Sequence, residues 1–197
     1  MATSRAQQVG IWIIAIVLTV GTIGSFAAIV LQNDNQASDQ ARQQADYNQQ
    51  LEEYQKQQKA AAEANAANSE PLDGYSAKPF DELEAATLKT TVLKQGEGAS
   101  VQESDTIKAS YFGWLADGRI FDSSNKKDAA DVPISFPLTG VIEGWTKGLA
   151  GQKVGSVVEL AIPAAQAYGP NGSGIIPANA PLKFIVIINA VEEKSAS

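Results

Sequence analysis

The chain has 197 residues and a net charge of −7, and it contains neither histidine nor cysteine. The absence of these two residue types excludes thiol nucleophiles, Ser-His catalysis, disulfides and the usual zinc sites. Because phosphate binding needs clustered Lys and Arg, the acidic balance also argues against a nucleic-acid partner. Any chemistry must therefore rest on carboxylates, hydroxyls, backbone groups and shape.

The N-terminal region is dominated by an uncharged apolar run, residues 9–31. This run is slightly longer than the roughly 20 residues that a helix needs to cross the hydrocarbon core, so it predicts a transmembrane anchor. A cleaved signal sequence is the alternative, since Ser25 and Ala27 are small, but no polar segment precedes a cleavage site there. Arg5 precedes the run and two aspartates follow it. This charge bias predicts a single-pass membrane protein with residues 1–8 in the cytoplasm and the remainder extracytoplasmic.

A helical stalk followed by a hinge is predicted over residues 32–79. Before the hinge, this stretch consists mainly of Gln, Ala, Asn, Glu and Lys without proline or glycine, a composition typical of a helix. Tyr47, Leu51 and Tyr54 share one helical face, which indicates either a partner-binding stripe or a short coiled-coil seam, with a solvated spacer as the alternative. Residues 68–79 contain two prolines and one glycine and are interpreted as the hinge.

Residues 80–197 are predicted to form one folded domain. Ile142, Trp145 and Leu149 fall at helical spacing and predict a short helix with one apolar face. Short extended segments surround this helix and predict an α+β domain with an antiparallel sheet. These segments run from Leu88 to Gly96, Thr106 to Leu115, Ile120 to Ser123, Val132 to Leu138, Val157 to Pro163 and Leu182 to Val191.

The central feature of this domain is a hairpin around the Asp117-Gly118 step. This step favours a tight turn in which both central residues have positive φ. The returning arm then places Phe121 and Asp122 beside Tyr111. These three side chains predict the floor of a small pocket, although Asp122 could instead cap a turn.

An irregular loop between the last two strands carries Tyr168, Ile175 and Ile176 among glycines, prolines and asparagines. A loop that holds apolar residues usually folds over something. The loop is therefore a second candidate part of the site.

Four ordered segments, YFGWLADGRIFDSS, VIEGWTKGL, VGSVVELAIP and AYGPNGSGIIPANAPLKFIV, resemble the FKBP-type peptidyl-prolyl cis/trans isomerases, the macrolide-binding immunophilins. The resemblance covers roughly residues 88–192. It implies a five-stranded antiparallel sheet wrapped around one short helix, and a rotamase activity on X-Pro bonds that needs no cofactor. It also implies proline-containing polypeptides as substrates and macrolides as ligands.

Carried over residue by residue, the resemblance implies an apolar pocket with Trp145 as its floor. The Tyr168 hydroxyl is implied to donate a hydrogen bond to a substrate carbonyl, and Asp122 to orient the surroundings of that oxygen. As structural alternatives, Trp145 and Phe184 are core residues that any small sheet-on-helix domain would bury. The implied catalytic residues are Tyr111, Phe121, Asp122, Trp145, Tyr168 and Phe184, and the implied substrate-binding residues are Ile134, Val141, Ile142, Ile175 and Ile176.

The sequence departs from the family pattern at three places around the rim of the implied pocket. Ile134 stands where many members have a second aromatic residue, and Gly140 stands where a glutamate is common. The stretch 172–174, Gly-Ser-Gly, stands where a His-Pro pair often occurs. These departures are expected to affect ligand affinity and sequence preference more than activity.

Three functions are weighed for the chain. The first is a membrane-anchored isomerase that assists protein folding outside the cytoplasm. The second is a non-catalytic module or assembly factor that grips a fixed proline-containing segment. The third, a chaperone acting through exposed apolar surface, is less favoured because the family's substrate-holding flap insert is absent.

Strand parity predicts a further apolar surface, on the face of the sheet away from the short helix. Phe112 and Trp114 on one strand and Ile185 and Ile187 on its neighbour should point to this outer face. A contiguous patch of this kind usually marks a contact surface. We therefore expect it to be covered, either by residues 72–83 folding back or by a second copy of the chain.

Overall fold

The computed structural model describes residues 36–127 and 129–192, and the chain divides into two compact units, residues 1–51 and 52–197. A long helix, α1, spans Gln36–Ala67, as the composition of this stretch predicts. Its apolar stripe of Tyr47, Leu51 and Tyr54 is exposed.

Among the described residues, no helix combines the length and the apolar composition that a membrane crossing requires. This finding contradicts the predicted localisation as a single-pass membrane protein with an extracytoplasmic isomerase domain, and that prediction is wrong. Helix α1 is long enough, but it is built mainly of Gln, Ala, Glu and Asn, and such polar side chains are unfavourable in hydrocarbon. The predicted anchor, residues 9–31, and the predicted cytoplasmic residues 1–8 lie outside the described residues.

Within the described part of the chain, six strands form one antiparallel sheet in the order β1-β5-β6-β2-β3, and β4 also pairs with β2. The five strands that the resemblance implied are therefore one too few, whereas the six extended segments predicted from the residues each contain one of the six strands. Two short strands share one edge of β2, because Ile107 lies opposite Phe136 of β4 and Gly113 lies opposite Asp122 of β3. The strands are β1 (Lys89–Lys94), β2 (Thr106–Trp114), β3 (Ile120–Ser123), β4 (Ile134–Pro137), β5 (Val157–Ile162) and β6 (Leu182–Val191).

A short helix, α2, spans Glu143–Leu149 and packs closely against β5. A Cβ atom added to Gly144 would lie 2.3 Å from Ile162 Cγ2, and one added to Gly148 would lie 2.7 Å from Leu160 Cδ2. These two glycines, one helical turn apart, therefore let the helix approach the sheet. Four short 3-10 segments, Glu82–Ala85, Leu138–Gly140, Ala164–Gln166 and Gly169–Asn171, complete the described helical structure.

The turn between β2 and β3 differs from the predicted tight turn. Gly118 has φ +86°, whereas Asp117 does not adopt a positive φ. The backbone N–H of Leu115 donates to the Arg119 carbonyl at 2.9 Å, and that of Gly118 donates to the Leu115 carbonyl at 2.9 Å. The loop therefore has three residues with glycine in the left-handed position, another common hairpin form.

The apolar patch on the outer face of the sheet is covered by residues 72–80, which confirms the fold-back prediction. Leu72, Phe112, Trp114, Val157 and Ile185 form one buried cluster, with Tyr75, Ala77, Phe80, Ile120 and Ile187 packed at its border. The Trp114 indole N–H donates to the Lys78 carbonyl at 2.9 Å, and the Phe80 backbone N–H donates to the Ala116 carbonyl at 3.0 Å. Much of the stretch interpreted as a hinge is thus packed on the sheet.

The fold-back segment leads to a prediction about stability. Replacing Leu72, which is 3% exposed, with alanine is expected to lower the free energy of unfolding by about 3 kcal/mol, since a buried leucine is replaced by a cavity. Replacing Leu83, which is 80% exposed, is the matched control and should change it by less than about 0.5 kcal/mol. Denaturant unfolding measures both, and equal effects of the two substitutions would show that the segment is not part of the core.

Candidate active site

Trp145 lies at the centre of a cluster of aromatic rings between α2 and the sheet. Its ring centroid is 5.3 Å from that of Tyr111, 5.2 Å from Phe136 and 5.4 Å from Phe184. Phe121 contacts Phe184 at 5.4 Å, and Tyr111 contacts Phe136 at 5.4 Å. All of these pairs are edge-to-face, the arrangement that ring quadrupoles favour. The sequence-predicted residues Tyr111, Phe121, Trp145 and Phe184 are therefore brought together, and each is buried.

Phe136 is a member of this cluster that sequence reasoning missed. The prediction placed Ile134 where many family members have a second aromatic residue. In the structure both residues lie on β4, two positions apart, and Phe136 is buried whereas Ile134 is half-buried. Side chains two apart on a strand share a face, so Phe136 supplies an aromatic residue from the same strand as Ile134, on the side of the cluster.

The close contact of Phe121 and Phe184 depends on a glycine in β2. A Cβ atom added to Gly113 would lie 2.5 Å from Phe121 Cζ and 2.6 Å from Phe184 Cε1. Since real Cβ atoms do not approach ring carbons this closely, a larger residue would push the two rings apart. Gly113 therefore makes room for the wall of the site.

The Asp122 carboxylate lies beside the aromatic cluster, and its position is fixed by four donors. One oxygen, Oδ2, accepts a hydrogen bond from the Tyr111 hydroxyl. The other, Oδ1, accepts from the Asn65 side-chain amide at 2.8 Å, the Ser123 backbone N–H at 2.8 Å and the Lys126 ammonium at 3.2 Å. Asp122 thus accepts a hydrogen bond from the adjacent backbone, as expected if it caps a turn. It also accepts one from Tyr111, a residue of the pocket.

The Asn65 and Lys126 contacts were not predicted from the sequence. Lys126 stands four residues after Asp122, a spacing that could have suggested the ion pair. Asn65 is 57 residues away on α1, on the helical face of the stripe formed by Tyr47, Leu51 and Tyr54, but that stripe does not indicate what the face will dock against.

Tyr168 and the rim residues complete the set of predicted site residues. Tyr168 is half-buried and stands immediately before the 3-10 segment Gly169–Asn171. Of the rim residues, Ile176 is buried, and Ile134, Val141, Ile142 and Ile175 are half-buried. The loop that carries Ile175 and Ile176 turns tightly, because Gly172 and Gly174 have φ +65° and +57°.

Both tyrosine hydroxyls are held in the protonated form. Burial, reinforced by the nearby Asp122 charge, raises the pKa of Tyr168 to about 12. Burial and then the same carboxylate raise the pKa of Tyr111 well above its ordinary value. The site therefore offers neutral hydroxyl donors across the physiological pH range.

This raised pKa predicts how stability depends on alkaline pH. Because the folded chain keeps the Tyr168 proton up to about pH 12 and an unfolded tyrosine loses it near 10.0, the stabilisation is complete below pH 10 and is lost as the pH rises towards 12. Tyr168→Phe is therefore expected to flatten the fall in unfolding free energy above about pH 10. Denaturant unfolding across this range measures the effect, with Tyr54→Phe, an exposed ring on α1, as the control. Identical alkaline profiles of the Tyr168 variant and the parent would contradict the prediction.

The fold and this site define a small α+β domain with an aromatic pocket and a single oriented carboxylate. Residues 97–189 match the family model of the FKBP-type peptidyl-prolyl cis-trans isomerases. FkpA of Aeromonas hydrophila, an FKBP-type isomerase, is 38% identical over 141 residues, which are 72% of this chain and 52% of that protein. The FKBP-type 22 kDa isomerase of Escherichia coli K12 is 44% identical over 100 residues, 50% of this chain and 47% of that one.

A solved structure of a peptidyl-prolyl cis-trans isomerase from Pseudomonas syringae pv. tomato is also similar, with 30% identity over 72% of this chain and 92% of that chain at a TM-score of 0.49. The chain spans about half the length of the curated relatives that it matches. Through residues 97–189, it belongs to the FKBP-type peptidyl-prolyl cis-trans isomerase family. The family resemblance found in the sequence is thereby confirmed.

Proposed function

We propose that this chain is a peptidyl-prolyl cis/trans isomerase that accelerates rotation about X-Pro bonds in polypeptides. The observation that carries the proposal is the buried cluster of aromatic rings around Trp145, beside two neutral tyrosine hydroxyls and one oriented carboxylate. The relatives are named for the same activity, which supports it.

The chemistry of the reaction suits such a site. Rotation about the peptide bond faces a barrier of about 18 to 20 kcal/mol because the planar amide is stabilised by resonance. The uncatalysed reaction at proline takes tens of seconds or more, and no proton or electron has to move. A surface of rings that excludes water favours the twisted amide, which is less polar than the planar one, and thereby lowers the barrier.

Each group has a proposed part in this reaction. Trp145 and Phe184 contact the proline ring, and the Tyr168 hydroxyl donates a hydrogen bond to a substrate carbonyl. Asp122 acts as a positioning residue, because it accepts a hydrogen bond from Tyr111 and so holds that ring at the pocket wall. Val141, Ile142, Ile175 and Ile176 flank the rings at the rim.

The partners that we propose are proline-containing polypeptides, as the family resemblance predicts. Macrolide ligands and association with a second copy of the chain stay predictions. The alternative function, a module that binds proline segments without turnover, uses the same pocket and differs only in rate.

The Tyr168 hydroxyl gives a sharp test of the proposed function. Tyr168→Phe is expected to lower turnover of a short X-Pro peptide by about tenfold or less, the effect of one hydrogen bond of about 1 kcal/mol. Tyr75→Phe, which removes a hydroxyl on the opposite face of the sheet, is the matched control and should leave turnover unchanged. A parent chain that binds the peptide but gives only the thermal rate would favour the binding module, and an unaltered rate in Tyr168→Phe would remove this hydroxyl from the mechanism.

A further inference from the structure

The end of helix α1 and the residue pair after it, residues 58–69, lie against the candidate site within the unit 52–197. Its less exposed side chains form one helical face, since they recur at spacings of three and four residues. The remaining side chains of the stretch are exposed. This inward face consists of Gln58, Ala62, Asn65, Ala66 and Ser69.

Two sets of contacts hold this face across the site. On one side, the Asn65 amide donates to Asp122 Oδ1 at 2.8 Å, and the Lys126 ammonium donates to Asn65 Oδ1 at 2.7 Å and to Ser69 Oγ at 2.9 Å. On the other side, Ala62 lies so near the long loop that a Cβ atom added to Gly174 would be 2.6 Å from the Ala62 Cβ. The helix end therefore joins the carboxylate side of the site to the tip of the loop.

The rings that a proline must contact are almost fully buried in the structure. Trp145 is 4% exposed, Phe184 3%, and Tyr111 and Phe121 7% each. Asn65 in addition occupies an oxygen of Asp122, the carboxylate of the site. The helix end therefore occupies the space between Asp122 and the loop tip, and a substrate that binds there must displace it.

The helix end is held by features that favour release. Its inward face carries small and polar side chains, and the buried Gln58 amide nitrogen has no hydrogen-bond partner among the described residues, which costs free energy. The fold-back segment 72–80 is instead anchored by buried or partly buried large side chains such as Leu72 and Phe80. A cleft of ≈ 800 Å³ borders the helix end and is lined in part by Lys59, Glu63 and Ile175, so water reaches one side of it. Elements with few large apolar contacts open at low free-energy cost.

We propose that residues 58–69 are a built-in cap that competes with the proline-containing substrate for the active site. This proposal rests on the proposed isomerase function. Only molecules in which the cap is released bind substrate, so the apparent affinity is the intrinsic affinity multiplied by the released fraction. Any change that displaces the cap therefore raises activity.

Displacing the cap provides the first test. Ala62→Arg in the full chain places a long charged side chain where only a methyl group fits beside Gly174. We expect kcat/KM for a short X-Pro peptide to rise about fivefold or more, mainly through a lower KM. Ala61→Arg, at an exposed position of the same helix, is the matched control and should leave kcat/KM unchanged. A value for Ala62→Arg that equals or falls below that of the control overturns the cap.

Locking the cap provides the second and decisive test. Ala62→Cys with Gly174→Cys places two Cβ atoms 2.6 Å apart, roughly 1 Å closer than in a disulfide, so a small outward shift of the helix end lets the bond form, in a chain that has no other cysteine. A cysteine introduced at position 174 is mildly strained, because the backbone there has φ +57°. The reduced and oxidised forms that are compared share this strain. The parent chain and Ala62→Cys alone, given the same oxidant and reductant, are the controls.

The oxidised double variant is expected to lose both turnover and binding of the X-Pro peptide, and reduction should restore them. Equal turnover before and after reduction overturns the cap. If the parent and the reduced variant show no turnover, the proposed function fails. The cap is then tested by measuring peptide binding with calorimetry. Equal affinity of the oxidised and reduced forms in that measurement overturns it, and weaker binding by the oxidised form supports it.

Discussion

Replacing Trp145 with alanine is expected to lower the free energy of unfolding by about 3–5 kcal/mol, the usual cost of removing a large buried aromatic side chain. The same substitution should lower turnover of an X-Pro peptide by about a hundredfold, since it removes the surface that positions the proline ring. Trp145 contacts Tyr111, Phe136 and Phe184, so all three rings lose their common partner. Circular dichroism with denaturant and a peptide assay on the folded variant measure the two effects.

Trp114 provides a matched control for this prediction. It is also buried, at 3% exposure, but it lies on the outer face of the sheet beneath the fold-back segment. Trp114→Ala should therefore cause a similar loss of stability, about 3–5 kcal/mol, and leave turnover of the folded protein near the parent value. If both variants lose turnover equally, the effect of Trp145 is one of stability and the pocket assignment is wrong.

Replacing Gly144 with alanine is expected to lower the free energy of unfolding by about 1–3 kcal/mol. Alanine in a helix is intrinsically favoured over glycine by about 1 kcal/mol, so propensity alone predicts the opposite sign. The added methyl group would lie 2.3 Å from Ile162 Cγ2, however, and must push α2 away from β5. Because Trp145 is the next residue, turnover should fall together with stability.

The control for this prediction is Gly140→Ala. Its added Cβ atom would meet its nearest neighbour, Pro137 Cγ, at an ordinary 3.5 Å, so stability should change by less than about 0.5 kcal/mol. Removing the obstructing side chain tests the cause, because Gly144→Ala combined with Ile162→Ala should cost less than the sum of the two single substitutions. Strict additivity would mean that the clash is not the reason for the loss.

The parts of the site that follow from strand periodicity could be predicted from the sequence. Side chains alternate along β2, so the sequence predicts Tyr111 on the pocket side and Phe112 and Trp114 on the outer face. The structure has them there. The same alternation on β6 separates Phe184 from Ile185. Strand parity is robust because a shift by one residue would bury the wrong face.

The parts that depend on register or docking could not be predicted in this way. Phe136 was missed because the face to which it points depends on the register of the short strand β4 against β2. The local sequence of a four-residue strand does not fix that register. The turn type at Gly118 was wrong because Asp-Gly also suits a three-residue loop. The contact of Asn65 with Asp122 was missed because the apolar stripe of α1, Tyr47, Leu51 and Tyr54, gives way to small and polar side chains from Gln58 onward, and these do not indicate what the face packs against.

The central claim is that the aromatic pocket speeds rotation of the X-Pro bond without moving a proton, and exchange NMR of a short X-Pro peptide at equilibrium tests it most directly. The uncatalysed cis and trans forms interconvert over tens of seconds or more. With a substoichiometric amount of the full chain, we predict interconversion within about a second, at the same rate in light and heavy water because no proton is transferred. Exchange that stays at the thermal rate while the peptide is seen to bind would contradict the claim.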